Sequence, residues 1–173
     1  MSEGSKGLGK AVLTKEQMTA VKSVLNDLRR KAQLDLVLLI DVSGQAVAYG
    51  ARSRKSLVES VSALVAGNFA AALELSRLLG EEEFRCLYHE GQERSVYACK
   101  VGDGFIILGV FSNVVRFGLV KLYLTKGAAR LEELLEDVKF EVEEEGEEEV
   151  EMPSDDELDA LLKKLKEEFT GGE

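Results

Sequence analysis

The side chains of this 173-residue chain that could do chemistry are few and dispersed. His89 is the single histidine, and Cys86 and Cys99 are the two cysteines. A histidine with no identifiable partner is typical of a structural residue rather than a general base. Two cysteines are too few for a disulfide framework or a zinc site, so they indicate packed, reduced thiols. The sequence therefore predicts no catalytic residue, no cofactor and no metal site.

Gly4, Gly9 and Lys10 have the spacing of a phosphate-binding P-loop. That loop needs a preceding strand, and it needs a Ser or Thr after the lysine to hold magnesium. The residue after Lys10 is Ala11, so the magnesium ligand is missing. We expect a flexible leader over residues 1–13 instead of a nucleotide site.

The charge of the chain is concentrated at its carboxyl end. The formal charge is −10, from 32 acidic and 22 basic residues. Residues 141–173 hold 15 acidic and 3 basic side chains, which leaves residues 1–140 at +2. A sequence-independent nucleic-acid binder needs a basic surface that neutralises phosphates, and neither part provides one. The eight glutamates of residues 141–151 indicate a solvated, extended linker rather than a carboxylate pair for acid–base chemistry.

Neither a membrane span nor a secretory signal is predicted. No continuous apolar run approaches 18 residues, and the amino-terminal segment lacks the apolar h-region of a signal peptide. A chain of this length suits one domain, with an appendage, that buries roughly two thirds of its unfolded surface. We therefore expect a cytoplasmic protein.

Hydrophobic patterning predicts an antiparallel sheet. Continuous apolar runs at residues 36–40 and 105–111 are typical of strands buried on both faces, so we expect them side by side at the sheet centre. Turn signals such as Ser43-Gly44 and residues 102–104 separate the strands into hairpins. The flanking strands are predicted at residues 45–49, 84–89 and 95–101.

Three helices are predicted to accompany the sheet. They lie at residues 15–32, 56–79 and about 128–138. Thr14 and Gln17 form a capping box before the first helix, whereas residues 119–124 fit either a helix or a strand. The predicted fold is α+β, an α/β sandwich in which a five-stranded antiparallel sheet carries helices on both faces over residues 14–140.

The helix at residues 56–79 is apolar around much of its circumference and needs cover on more than one side. Ala63, Gly67 and Ala71 are four residues apart, so they stack along one face and would let another backbone approach closely. A mid-helix glycine costs about 1 kcal/mol relative to alanine, which indicates a packing reason. That partner is either a second copy of the chain or the protein's own sheet. The candidate partner-binding and dimer residues are Val61, Ala63, Leu64, Ala66, Gly67, Ala70 and Ala71.

A second amphipathic helix is predicted at residues 154–169, after a linker at 141–153 and before a short tail at 170–173. Ser154 and Glu157 provide a capping box. An isolated helix of this length is marginal in water, so its apolar face predicts docking on a partner or on the chain's own domain. The candidate docking residues are Leu158, Leu161, Leu162, Leu165 and Phe169.

Several segments of residues 15–140 resemble the bacterial MglB subfamily of the Roadblock/dynein light chain family. They are residues 64–68, 70–71, 78–81, 110–111 and 118–122, with Phe84 and His89. The order helix, hairpin, long helix, three-stranded meander, helix is also that of the family. The resemblance implies a homodimer in which two long helices pack side by side and edge strands can join the two sheets. It also implies that the terminal helix docks on the partner.

The resemblance further implies a Ras-like small GTPase of the MglA type as partner, whose GTP hydrolysis the chain stimulates in the control of cell polarity or motility. Members of this subfamily are described as remodelling the GTPase switch regions, so no arginine here is expected to act as a finger. The arginines that could contradict this expectation are Arg52, Arg54, Arg94 and Arg116. The alternative is a non-catalytic Roadblock scaffold or adaptor in another multi-protein complex.

Overall fold

The structure is a computed structural model that describes residues 9–50 and 55–141. Its helices are α1 (Lys15–Lys31), α2 (Lys55–Leu79) and α3 (Phe117–Leu135). Its strands are β1 (Lys10–Val12), β2 (Leu36–Asp41), β3 (Ala46–Gly50), β4 (Cys86–Glu90), β5 (Arg94–Val101), β6 (Phe105–Ser112) and β7 (Lys139–Glu141). The chain folds as the α+β arrangement that the patterning predicts.

The main sheet has five antiparallel strands in the order β3-β2-β6-β5-β4. Its two central strands are β2 and β6, with Val37 opposite Gly109 and Leu39 opposite Ile107. Every residue of β2 is buried. A strand covered on both faces can be apolar at every position, which is why the two continuous apolar runs identified the centre of the sheet.

Helices cover both faces of this sheet, as predicted. On one face α1 and α3 contribute Leu25 and Leu124 to a core that also holds Leu39 and Ile107. On the other face α2 packs Val58, Val65 and Phe69 against the intervening strand residues, including Leu38 and Leu108. Successive side chains of a strand point to opposite faces, so each central strand supplies both cores.

The helix boundaries are set by capping and by burial. The Thr14 hydroxyl accepts the Gln17 backbone N–H at 3.1 Å, and the Gln17 side chain accepts the Thr14 N–H at 2.9 Å, which confirms the capping box. Helix α3 includes residues 119–124, whose local pattern was ambiguous. Val120 and Leu124 are fully buried in helical register with Leu131, and packing on the sheet settles the conformation.

A second, two-stranded sheet joins β1 to β7, with Ala11 opposite Phe140. Residues 10–12 are therefore not part of a flexible leader, and Glu141 is a strand residue rather than the start of the linker. Phe140 also packs on the main domain, with its ring centroid 5.3 Å from that of Phe105. This pairing joins segments far apart in sequence, and three-residue strands carry no periodic signal of their own.

Candidate protein interface on the long helix

One face of α2 belongs to the core. Val58, Val65 and Phe69 lie on the sheet, and the two polar residues buried beside them, Ser62 and Ser76, bond within the helix. The Ser62 hydroxyl donates to the Val58 carbonyl and the Ser76 hydroxyl to the Leu73 carbonyl, each at 2.8 Å. Because both hydroxyls are satisfied locally, this face needs no further partner.

The neighbouring face of α2 carries a row of exposed leucines. We call Leu57, Leu64, Leu75, Leu78 and Leu79 the leucine row, and each is between 50% and 85% exposed. Separations of seven and eleven residues return to the same side of an α-helix, so these side chains line up along its length. A row of exposed apolar side chains is typical of an interaction site, so the leucine row is the candidate interface.

The apolar surface continues from the leucine row across the sheet. A groove of about 190 Å³ lies between α2 and strands β4 and β5, and its walls include Leu64, Asn68, Leu87, His89 and Val96. His89 is exposed at this groove, so it is a surface residue rather than an enclosed structural histidine. β4 is an edge strand of the sheet, and an unpaired strand edge can accept a further strand.

The small residues of α2 divide into two groups. Ala63 and Ala66 face the β2–β3 turn, where a Cβ added to Gly44 would lie 3.2 Å from the Ala63 Cα and 3.4 Å from the Ala66 Cβ. Their size is therefore explained within the chain. A Cβ added to Gly67 meets nothing within 4 Å, so the alternative that Gly67 packs on the protein's own sheet is wrong.

Most of the predicted interface residues on α2 are accessible. Ala63, Leu64, Gly67, Ala70 and Ala71 are exposed, whereas Val61 and Ala66 are partly buried. The prediction left out four members of the leucine row. The sequence showed that the helix is apolar around much of its circumference, but not which part of that circumference the sheet would cover.

The predicted docking residues of the terminal helix, Leu158, Leu161, Leu162, Leu165 and Phe169, lie outside the described residues. Arg52 and Arg54 do so as well. Arg94 is exposed at the start of β5, with its Nε 3.7 Å from Asp35 Oδ2, and Arg116 is exposed at the N-cap of α3.

By length and composition, Leu57–Leu79 would also suit a membrane-spanning helix. In the fold, Val58, Val65 and Phe69 of this segment pack on the sheet as part of the domain core. The exposed leucine row, rather than the whole helix, is therefore the part of α2 that needs an explanation.

The observed packing of the two cysteines differs from the prediction in one respect. Both are free, but Cys86 is exposed, so the expectation of two packed thiols is wrong for that residue. The sulfur atoms of Cys86 and Cys99 lie 2.9 Å apart on adjacent strands. Within residues 9–50 and 55–141, no group of three or more His, Cys, Asp and Glu side chains is placed to hold a metal ion.

Comparison with known proteins agrees with the fold. The family model of the Roadblock/LC7 domain matches residues 20–111, more than half of the chain. The chain belongs to the Roadblock/LC7 family.

Among solved structures, the chain is similar to MglB proteins of two bacteria. Myxococcus xanthus MglB is 32% identical with a TM-score of 0.66, over 68% of this chain and 96% of that one. The gliding protein MglB of Thermus thermophilus is 27% identical with a TM-score of 0.70, over 74% and 97%. A Roadblock/LC7 domain from Streptomyces avermitilis is 10% identical with a TM-score of 0.63, over 66% and 97%, and shows the fold alone. The search of curated proteins found no match.

Proposed function

We propose that this protein is a cytoplasmic homodimer that binds a Ras-like small GTPase of the MglA type and stimulates its GTP hydrolysis, in the control of cell polarity or motility. The observation that carries the proposal is the exposed leucine row of α2, in a chain 32% identical to Myxococcus xanthus MglB. An exposed apolar surface of this kind suits a regulator that acts by binding.

The homodimer is supported by the exposed leucine row of α2. Two copies related by a two-fold axis would present the same leucine row to each other, which is the geometry of an isologous interface. Complete burial of a leucine side chain contributes about 1.5–3 kcal/mol. Burial of Leu57, Leu64 and Leu75 would therefore give such a contact a substantial driving force. Gly67 lies beside this row and would let a second helix approach closely.

The mechanism proposed for hydrolysis is selection of a GTPase conformation. A small GTPase hydrolyses GTP slowly when its water-positioning and charge-stabilising groups are misplaced. A partner that binds the hydrolysis-competent switch conformation more tightly raises the population of that conformation. A thousandfold shift requires about 4 kcal/mol of differential binding. Burial of two or three apolar side chains at an interface contributes energy on this scale.

Single-turnover GTP hydrolysis by a purified MglA-type GTPase, with and without this protein, tests the proposal. We expect the rate to rise by at least an order of magnitude and to saturate with the concentration of the regulator. Binding without acceleration would contradict the proposed activity and favour the scaffold or adaptor function. Absence of binding would contradict both the partner and the activity.

We predict that no arginine of this chain enters the GTPase active site. Arg94→Ala and Arg116→Ala, as well as Arg52→Ala and Arg54→Ala, are expected to change the stimulated rate less than about tenfold, since an arginine finger contributes 10³–10⁵. The measurement is the same single-turnover assay at saturating regulator. A loss of three orders of magnitude in any one variant would overturn conformational selection and assign that arginine as a finger.

The carboxyl-terminal segment is predicted to act on the GTPase and not on the fold. Deletion of residues 144–173 retains β7, so we expect an unchanged melting temperature and dimer mass but an altered affinity for the GTPase. Deletion from residue 139 also removes Phe140, which contacts Phe105, and we expect this longer deletion to lower the melting temperature. Loss of the dimer in the shorter deletion would refute this division of roles.

A further inference from the structure

Cys86 and Cys99 are directly opposite each other on β4 and β5, with their sulfur atoms 2.9 Å apart. The Lys100 backbone N–H donates to the Arg85 carbonyl at 2.8 Å, which makes the cysteines a non-hydrogen-bonded pair of the ladder. Cα atoms of such pairs are about 4.5 Å apart, inside the 4.4–6.8 Å range of disulfides. A bond between the sulfurs therefore needs side-chain rotation but no backbone movement.

The two thiols are unequal in exposure. Cys86 is exposed on the edge strand, whereas Cys99 is 3% exposed in the core between the sheet and α3. The pair lies on the sheet face opposite α2, so a partner bound along the leucine row would leave Cys86 accessible. This arrangement suits an attacking thiol at the surface and a resolving thiol behind it.

The surroundings of Cys86 favour its thiolate. A hydrogen bond from Cys99 lowers the pKa of Cys86 to about 6, against the effect of partial burial, and the Tyr97 hydroxyl, Lys121 and Arg85 lower it further. The hydrogen bond with Cys86 and burial both raise the pKa of Cys99, which stays a thiol. Cys86 is therefore mostly thiolate at neutral pH, with a proton donor at hydrogen-bond distance.

We propose that Cys86 and Cys99 form a peroxide-sensitive dithiol, which a hydroperoxide oxidises to an intramolecular disulfide. The Cys86 thiolate attacks one oxygen of the hydroperoxide, the O–O bond breaks, and the alcohol or water leaves after protonation, so that Cys86 becomes a sulfenic acid. The Cys99 sulfur then attacks the Cys86 sulfur, and water leaves with the Cys99 proton. Two thiols and one peroxide yield one disulfide and, for hydrogen peroxide, two waters.

The resulting disulfide joins the edge strand β4 covalently to β5. The thiols are restored by exchange with a dithiol reductant. This inference depends on the β4–β5 ladder and not on the proposed GTPase partner, so either can fail without the other.

The test treats the full-length protein with hydrogen peroxide and follows the products by intact mass and a non-reducing peptide map. We expect wild type to lose two hydrogens and to give a peptide that links Cys86 to Cys99. Cys99→Ser should stop at a sulfenic acid that dimedone traps, whereas Cys86→Ser should react at least tenfold more slowly. The wild-type rate should be half-maximal near pH 6 and level off above pH 7, because most of Cys86 is then thiolate.

Three results would overturn the proposal. They are equal reaction rates in Cys86→Ser and wild type, a disulfide between two copies in place of the internal one, and a rate that rises without levelling up to pH 8.5. The exposed position of Cys86 makes Cys86→Ser a safe variant for folding, and its far-ultraviolet circular dichroism should match that of wild type. The comparison of Cys86→Ser with wild type therefore tests the proposal even if the buried Cys99→Ser variant does not fold.

Discussion

Gly67→Arg is expected to abolish both dimer formation and GTPase binding while the protomer stays folded. A Cβ at this position meets no atom of the chain within 4 Å, so the arginine side chain extends into solvent in the isolated protomer. In a close helix–helix contact the same side chain would occupy the space of the partner backbone and leave a charge without solvent, which costs far more than the contact contributes. Light scattering measures the loss of the dimer, and circular dichroism shows whether the protomer stays folded.

Gly67→Ala is the matched control, because it adds one methyl group at the same position. Alanine stabilises a helix interior by about 1 kcal/mol relative to glycine, so we expect the melting temperature of a dilute, monomeric sample to rise. At concentrations where the dimer forms, the added methyl group should weaken association. A Gly67→Arg protein with normal mass and normal GTPase binding would exclude Gly67 from both interfaces.

Gly109→Val is expected to destabilise the domain strongly, by about 1–3 kcal/mol or more, because it overpacks the core. Gly109 lies at the centre of β6, and a Cβ there would be 2.7 Å from the Leu124 Cδ1 and 3.2 Å from the Leu34 Cδ2. The space that a side chain of Gly109 would occupy is therefore filled by Leu124 of α3. Urea unfolding measures the loss, and Gly118→Ala, where nothing lies within 4 Å, should be close to neutral.

A double-mutant cycle shows whether this loss comes from the contact with Leu124. Leu124→Ala alone should cost about 2–5 kcal/mol, since the side chain is fully buried. In the double variant the valine occupies part of the space that Leu124 vacates, so the combined loss should be smaller than the sum by more than about 0.5 kcal/mol. Strict additivity would mean that Leu124 is not what the valine displaces.

The local features of this fold were predictable from the sequence because their causes are local. The capping box at Thr14 and Gln17 depends on residues three apart, and the central strands follow from runs of adjacent apolar residues. The long helix was likewise recognised from its pattern. The excess of apolar residues around α2 correctly indicated that one sheet face could not cover it, since the leucine row is exposed.

Features that join distant segments were not predictable in the same way. The β1–β7 ribbon pairs Ala11 with Phe140, and two three-residue strands have too few positions to show alternation. The proximity of Cys86 and Cys99 depends on the register of β4 against β5. A shift of one residue would have placed the two thiols on opposite faces of the sheet.

The sequence by itself therefore determined the class of fold, the order of its elements and the existence of an apolar surface in excess of what one sheet can bury. These properties follow from spacing along the chain and from residue type. Only the tertiary structure decided which side of α2 is covered, why Ala63 is small although Gly67 is free, and that the two thiols meet. Those outcomes depend on strand register and helix rotation, which many segments settle together through packing.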